Sequence, residues 1–382
     1  MRTYFLGAGL HTCLGKGVAA NLAALRAPPA LPSVQILPLG AEEQRVPVHL
    51  LADEPLDDIE NRQMKVVDGV VREALTASGL SEADIRELAI FVGTSSLDIS
   101  ITEEVYQREL AAGLDAHPLT ANSAMGNFTK LIRQRFGIRG PDYTVNTACT
   151  AAANALMYAD AMIRAGKIKH ALIIGLESFN RITALGFSSL GLLAPDGMRP
   201  FDKDRRGIAL GEGCSAMVVG AEPKRENSFY LRGGANICDI FSITAANSDG
   251  STVSGVIRDA MANAKIAKED ITAIKTHGTA SLLNDEAESA GMKQVFEKMP
   301  PLCAIKPFIG HTFGACGLNE LILFCGALEE GFLIATPGIG ADENELGVVL
   351  TQERTPVAPG VFMLNYFGFG GNNTSLVIAN AG

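Results

Sequence analysis

Apolar residues recur along this chain in two rhythms. Short runs of roughly four to eight residues are candidate strands, and longer stretches with apolar positions three and four apart are candidate helices. Residues 3–6 are predicted as a first strand and 16–25 as a small helix, while the proline-rich 27–60 is predicted irregular. From 61 to 78 the pattern is helical, with Met64, Val67, Val71 and Leu75 on one face. Residues 88–93 form an apolar strand, 97–140 a long insertion with short helices, and 143–147 a short strand. The alanine-rich 151–163, with Leu156, Met157, Met162 and Ile163, makes the next helix. Strands follow at 169–176 and 214–219, the second preceded by a loop at 199–213. Two last strands, 361–364 and 375–378, flank the glycine-rich 365–373.

The alternation repeats. Gly69-Val70-Val71-Arg72-Glu73-Ala74 returns as Gly255-Val256-Ile257-Arg258-Asp259-Ala260, and the match runs without a gap to Asp84-Ile85 against Asp270-Ile271. The strand ending Val92-Gly93-Thr94-Ser95-Ser96 then faces one ending His277-Gly278-Thr279-Ala280-Ser281. A weaker echo sets the helix after Cys149 against the helix after His311, with Asn154 opposite Asn319 and Gly166 opposite Gly331. These echoes imply a duplicated α/β unit with pseudo-twofold halves, 1–220 and 221–382. Duplication places equivalent loops side by side, so the loops of Cys149, His277 and His311 are expected at a common site.

Composition narrows the classes. The 382 residues are 47% hydrophobic with a net charge of −10, and no long basic run is present to neutralise phosphates, which argues against nucleic-acid binding. Seven scattered cysteines, an odd number without metal-ligand spacing, fit free thiols in a reducing compartment. The first ten residues carry too short an apolar run for a signal peptide, and no run reaches membrane-spanning length. A cytoplasmic protein is expected, with no membrane and no metal. Gly7-Ala8-Gly9 lacks the rest of a nucleotide fingerprint and is taken as a plain tight turn.

Candidate chemistry centres on Val145 to Leu156. Cys149 lies between a short strand and a helix start, where free N–H groups and the helix dipole favour a thiolate, and small neighbours leave room for a substrate. A buried structural cysteine fits this stretch alone equally well. Of six histidines, His277 and His311 sit in glycine-rich turns after predicted strands; His11, His49, His117 and His170 are expected at the surface or in loops. Lys306, on its own, fits a solvated charge, and Glu320 is placed to be its ion partner. The 365–373 segment fits a turn between strands or a movable loop whose N–H groups hold an anion.

Together these motifs resemble the β-ketoacyl-acyl carrier protein synthases, condensing enzymes of the thiolase superfamily, over nearly the whole chain. The resemblance rests on Thr147-Ala148-Cys149, Arg199-Pro200-Phe201-Asp202 through Gly213, Thr276 to Thr279, Lys306 to Gly317 and Asn365 to Gly371. It implies a thiolase-like, five-layered αβαβα fold, usually dimeric, with no cofactor or metal. It makes Cys149 the nucleophile that takes an acyl chain as a thioester, and His277 and His311 the pair that binds the malonyl thioester and supports its decarboxylation. Lys306, with Glu320 as acidic partner, organises the site, and Asp285 supports it. Phe367 is the gating residue, whose backbone N–H joins that of Cys149 as an oxyanion hole. Thr279 and Ser281 would hold the phosphopantetheine arm, with Phe187 and Phe369 lining the acyl pocket. The implied partners are acyl carrier protein, malonyl and acyl thioesters, and a second subunit, identical or related.

The chain departs from the family in places. It is short between Gly220 and Ser254, lacks an arginine at Gly191 and basic residues at 115–117, and carries Pro307 and Cys316 where small residues are common. Arg62, Lys65, Lys130, Arg133, Lys203, Arg205 and Arg206 remain as candidates to meet an acidic carrier protein. A divergent branch serving polyene or polyketide synthesis is implied. Two alternatives stand beside it: a thiolase using coenzyme A with Cys316 as second cysteine, and a non-catalytic chain-length subunit, which the intact Cys149, His277 and His311 oppose.

Overall fold

Side chains alternate across a strand, so a strand buried on both faces feeds two separate cores. That is the rule for most strands of this protein, whose computed structural model describes residues 2–56, 59–113, 125–341 and 345–380. Among the described residues the main sheet has eleven strands, the short Gly15–Lys16 pairing only with the first, and ten lie along its path: β1 (Thr3–Thr12), β2 (Ala89–Gly93), β3 (Asp142–Val145), β4 (His170–Glu177), β5 (Gly213–Gly220), β6 (Tyr230–Cys238), β7 (Ile271–Lys275), β8 (Leu302–Cys303), β9 (Val361–Phe367) and β10 (Asn372–Ala379). The spatial order is β8-β7-β9-β10-β6-β1-β5-β4-β2-β3. Read outward from the centre, the first half runs β1-β5-β4-β2-β3 and the second β6-β10-β9-β7-β8, the same order in each. Directions agree too, with antiparallel pairs β1·β5, β5·β4, β6·β10 and β10·β9 and parallel pairs β4·β2, β2·β3, β9·β7 and β7·β8. The halves join where Thr3 and Tyr4 pair with Leu231 and Tyr230.

Five layers follow from what the strand faces cover. On β4, Ala171 and Ile173 join the central core while Leu172 and Ile174 face an outer one; on β10, Leu376 and Ile378 face the centre and Val377 the other outer core. The central layer holds helices α2 (Ala151–Arg164) and α5 (Cys316–Glu329), the pair from the weaker sequence echo. Every residue of α5 from Cys316 to Leu328 is buried, as fits a helix that is apolar nearly all round apart from Asn319 and Glu320. Helix α1 (Ile59–Ser78) covers the outside of the first sheet, and α3 (Ser251–Ala264) with α4 (Leu282–Val295) the outside of the second.

Several expectations need correction. Gly7-Ala8-Gly9 is no turn: it lies inside β1, where missing side chains let α1 sit against the strand. A Cβ on Gly9 would lie 2.1 Å from the Val70 carbonyl oxygen, and one on Gly7 2.4 Å from the Ser78 nitrogen. The 27–60 stretch contains a hairpin, Ser33–Leu39 paired with Glu42–His49, which buries Leu37, Val46 and Val48. His11, in β1, and His49, in the hairpin, are buried, and His11 Nε2 lies 2.8 Å from the Ala52 carbonyl. Burial pulls both below the ordinary histidine value, His49 to about 4. His170 is half-buried in β4, and His117 lies outside the described residues. Strand β9 runs on to Phe367, so the glycine-rich connection to β10 shrinks to residues 368–371. No helix among the described residues is long and apolar enough to cross a membrane.

Candidate active site

Cys149 ends the connection from β3 to α2. Ala148 before it has φ +50°, a left-handed conformation costly for a residue with a Cβ, and Thr147 and Cys149 form an isolated bridge. The bend is held from below by a polar network. Thr150 Oγ1 donates to Asn372 Oδ1 (2.5 Å), and Asn154 Nδ2 donates to Thr147 Oγ1 (2.9 Å) and Asn372 Oδ1 (2.8 Å). Asn372 belongs to β10, so the cysteine turn and the 368–371 connection share one anchor.

Cys149 is 6% exposed, and its sulfur has donors around it. His311 Nε2 lies 3.0 Å away, and the backbone N–H groups of Phe369 and of Cys149 itself point at it. Phe369, not the expected Phe367, therefore brings the second backbone N–H to the cysteine. Phe367 ends β9, and its ring meets His277 edge-on at 5.7 Å. The expected low thiol value is not met in the resting state. Burial pushes Cys149 up to about 11, against the pull of Lys306 and the Phe369 N–H, with Glu177 adding to the rise.

Each imidazole has its tautomer set by a partner. The Phe313 backbone N–H donates to His311 Nδ1 (3.2 Å), and the Lys306 ammonium, a donor only, donates to His277 Nδ1 (3.2 Å). Both rings accept at Nδ1 and so carry their proton on Nε2. Burial first, then Lys306, holds both well below the ordinary histidine value, so they are neutral near pH 7. The rings are 5.5 Å apart, edge to face. Glu288, on α4, accepts the backbone N–H groups of His277 (2.8 Å) and Gly278 (2.9 Å) and fixes that turn. Asp285, one turn earlier, accepts from Phe201 (2.8 Å) and Ala280 (3.2 Å), and burial pushes it up to about 7.

Lys306 is fully buried, not solvated, and donates to Glu320 Oε1 at 2.7 Å. Burial pulls its ammonium down, but Glu320, with Cys316 and Cys149, outweighs this and leaves it above its ordinary value. Glu320 has a second buried partner that the sequence reading missed: Lys275 Nζ donates to Oε2 at 2.5 Å and to the Asn365 carbonyl at 2.8 Å. Period two was the available signal, since it puts Lys275 on the face of β7 that carries Ala273 into the central core. Glu177, at the end of β4, was also missed; it accepts N–H groups from Ser95 and Gly314 and hydroxyls from Ser95 and Ser96.

Cys149, His277, His311, Thr279, Ser281, Phe187, Phe367 and Phe369 line one cavity of about 30 Å³, with the Phe187 and Phe369 rings stacked at 5.4 Å. It shares Ser281, Asn284, Phe367 and Phe369 with a cavity of about 240 Å³ whose rim includes Arg206, Leu282 and Leu283. A cleft of about 500 Å³ around Phe5, Leu22 and Phe229 holds none of these residues. Thr279 Oγ1 lies 3.1 Å from Ser281 Oγ and accepts from Asn284 (3.0 Å). Of the basic docking candidates, Arg62 and Arg205 are buried; Arg62 makes a bidentate pair with Glu212 at 2.6 and 2.7 Å, and neither can greet a partner. Arg133 pairs with Asp142 and Lys65 with Glu54, while Arg206 is exposed at the rim. Residues 115–117 lie outside the described residues.

A duplicated five-layer fold with a cysteine at its central helix start and two histidines above it is that of a thiolase-like condensing enzyme. The β-ketoacyl synthase N-terminal domain matches residues 53–224 and the C-terminal domain residues 230–339. A chloroplastic 3-oxoacyl-[acyl-carrier-protein] synthase I of Hordeum vulgare is 30% identical over 335 residues, 81% of this chain and 72% of its own. Among solved structures, a ketosynthase in complex with its chain length factor from Xenorhabdus doucetiae superposes with a TM-score of 0.87 at 24% identity, covering 100% of this chain and 98% of its own. The ishigamide ketosynthase/chain length factor gives 0.85 at 29%, covering 100% and 99%. The chain belongs to the β-ketoacyl synthase family, acyl-transferring condensing enzymes.

Proposed function

We propose that this chain catalyses decarboxylative Claisen condensation of malonyl-acyl carrier protein with an acyl thioester carried on Cys149, in the cytoplasm, in fatty-acid or polyene and polyketide synthesis. The observation that carries this reading is the pair of neutral imidazoles, each with Nδ1 occupied by a donor, lining one cavity with the cysteine. In the first half-reaction the Cys149 sulfur attacks the acyl thioester. The N–H groups of Cys149 and Phe369 hold the oxyanion, and the carrier thiol leaves with the proton Cys149 gives up. In the second, the bond from the malonyl methylene to its carboxylate breaks and carbon dioxide departs. The electron pair is held as an enolate by Nε2–H of His277 and His311. The enolate carbon attacks the acyl-cysteine, the carbon–sulfur bond breaks, and the thiolate takes a proton from water. These steps balance without metal or cofactor. Thr279 and Ser281 would hold the phosphopantetheine arm, and the stacked Phe187 and Phe369 must part to admit an acyl chain into so small a cavity.

Cys316 speaks against the thiolase alternative: it is fully buried, and its thiol donates to the Cys149 carbonyl at 2.9 Å from behind the nucleophile, with no place in the cavity lining. For a partner subunit, β3 ends the sheet with one side unpaired among the described residues, beside exposed Tyr143 and Leu131 and with Tyr158 exposed on α2. That edge is the surface proposed to meet a second subunit, identical or a chain-length partner of the kind named for the solved neighbours. The test is peptide mass mapping after incubation with acyl-carrier protein, followed by malonyl-carrier protein with carbon dioxide measured. An acyl adduct on Cys149 that disappears with release of carbon dioxide and 3-oxoacyl product supports the reading. An adduct on Cys316 or Cys214 overturns it.

A further inference from the structure

A lysine inside a core strand stands out even beside an active site. Lys275 is fully buried, lines none of the cavities at Cys149, and makes three contacts: Glu320 Oε2 at 2.5 Å, the Asn365 carbonyl at 2.8 Å, and the Tyr366 ring, whose centroid is 3.6 Å from Nζ. The Tyr366 hydroxyl donates to the Gly317 carbonyl at 3.0 Å, so the ring beneath the ammonium is itself tied to α5. One carboxylate thus stands between two buried ammonium groups, with Lys275 on one oxygen and Lys306 on the other.

We propose that Lys275 is a positioning residue for the malonyl half-reaction, holding Glu320 so that Lys306 keeps donating to Nδ1 of His277. This rests on the function proposed above. Without Lys275, Oε2 of Glu320 is a buried acceptor with no donor, a costly state that rotation of the carboxylate toward Lys306 relieves. The contact that gives way is the longest one Lys306 makes, its 3.2 Å hydrogen bond to His277. An unpartnered Nδ1 no longer obliges the ring to carry its proton on Nε2, and the malonyl carbonyl loses a fixed donor. His311 is insulated from this, because its Nδ1 is held by the Phe313 backbone. The effect therefore falls on one imidazole and one half-reaction. A second consequence has the same origin: both ammonium groups face His277, with His311, and help keep it neutral.

The experiment compares Lys275→Met, which keeps length and apolar contact, with the wild type in two separate assays. These are acyl transfer to Cys149 and carbon dioxide release from malonyl-carrier protein by acyl-loaded enzyme. Expected is a fall on the order of 10- to 100-fold in carbon dioxide release, the loss of one charge-assisted hydrogen bond, with acyl loading within about twofold of wild type. Selective 15N-histidine NMR should show His277 leaving the neutral Nε2–H form while His311 keeps it. If Lys275→Met does not fold, Lys275→Leu, which likewise removes the donor to Glu320, is measured in the same way. Equal losses in both half-reactions, or no loss in either, overturn the inference. A wild-type enzyme that loads acyl chains but releases no carbon dioxide overturns the proposed function instead.

Discussion

Replacing Glu320 by glutamine is the sharpest perturbation of the buried charge cluster. The amide would keep the shape but leave Lys275 and Lys306, both fully buried, facing each other without an anion. Removing one partner of a buried ion pair costs about 3–5 kcal/mol in other proteins. Domains have a total of about 5–15 kcal/mol, so from about a fifth to all of the stability is at stake. The variant can reduce the cost by shedding a proton. Burial already pulls Lys275 below its ordinary value in the wild type, with Glu320 opposing; without that carboxylate both ammonium groups are pushed down. The folded variant then releases protons that the unfolded chain keeps up to 10.5, the ordinary lysine value. The unfolded state binds more protons, so stability of Glu320→Gln rises with pH between the lowered values and 10.5. Urea unfolding followed by circular dichroism at pH 7 and pH 9 measures this, and Lys275→Met added to Glu320→Gln should recover part of the loss. Glu320→Gln within about 1 kcal/mol of wild type at pH 7, or a double variant less stable than the single, would refute the charge accounting.

Three other outcomes are expected. Alkylation of Cys149 by iodoacetamide, mapped by peptide mass, should rise about tenfold per pH unit from 7 to 9, because a thiol held up to about 11 is far from half-ionised; a plateau near pH 8 would contradict the burial effect. His277→Ala should spare acyl loading and abolish carbon dioxide release, whereas His311→Ala, with Nε2 3.0 Å from the sulfur, should slow both; identical profiles for the two would remove the division of labour. Gly9→Ala forces a Cβ to within 2.1 Å of the Val70 carbonyl, so a loss of about 1–3 kcal/mol should appear as a lower urea midpoint at unchanged slope; an unchanged midpoint would mean α1 gives way freely.

The duplication was legible because both copies keep the same helix-forming stretch, Gly69 to Ala74 and Gly255 to Ala260, and helix periodicity survives divergence. Cys149, His277 and His311 stood out through unusual surroundings, small residues and glycine turns, which are local. What stayed hidden depended on contacts distant in sequence. Gly7 and Gly9 looked like a turn because the strand geometry that needs them is imposed by α1, some 60 residues on. His11 and His49 looked exposed because a lone polar residue says nothing of what folds over it. The backbone N–H at the cysteine was assigned to Phe367 instead of Phe369 because strand β9 continues beyond its apolar pattern, moving the turn along the chain. Lys275 was passed over because a charge in a strand reads as solvated until α5, 45 residues on, supplies Glu320.

The sheet order has a consequence for synthesis. In the first half β1 pairs along nearly its whole length with β5, and Tyr4 meets Gly220, roughly 200 residues later. At about 5–20 residues per second, the first strand emerges on the order of 10–40 s before its partner exists. The second half repeats the delay, since β6 pairs with β10, the last strand described. Each half thus closes by its final strand, and the late contacts make folding slow for a chain of this size. Until β5 arrives, the edges of β1 and β4 that pair with it are open on the ribosome. Rare-codon stalls before β5 has left the ribosome would prolong that exposure, and stalls after it has left would not.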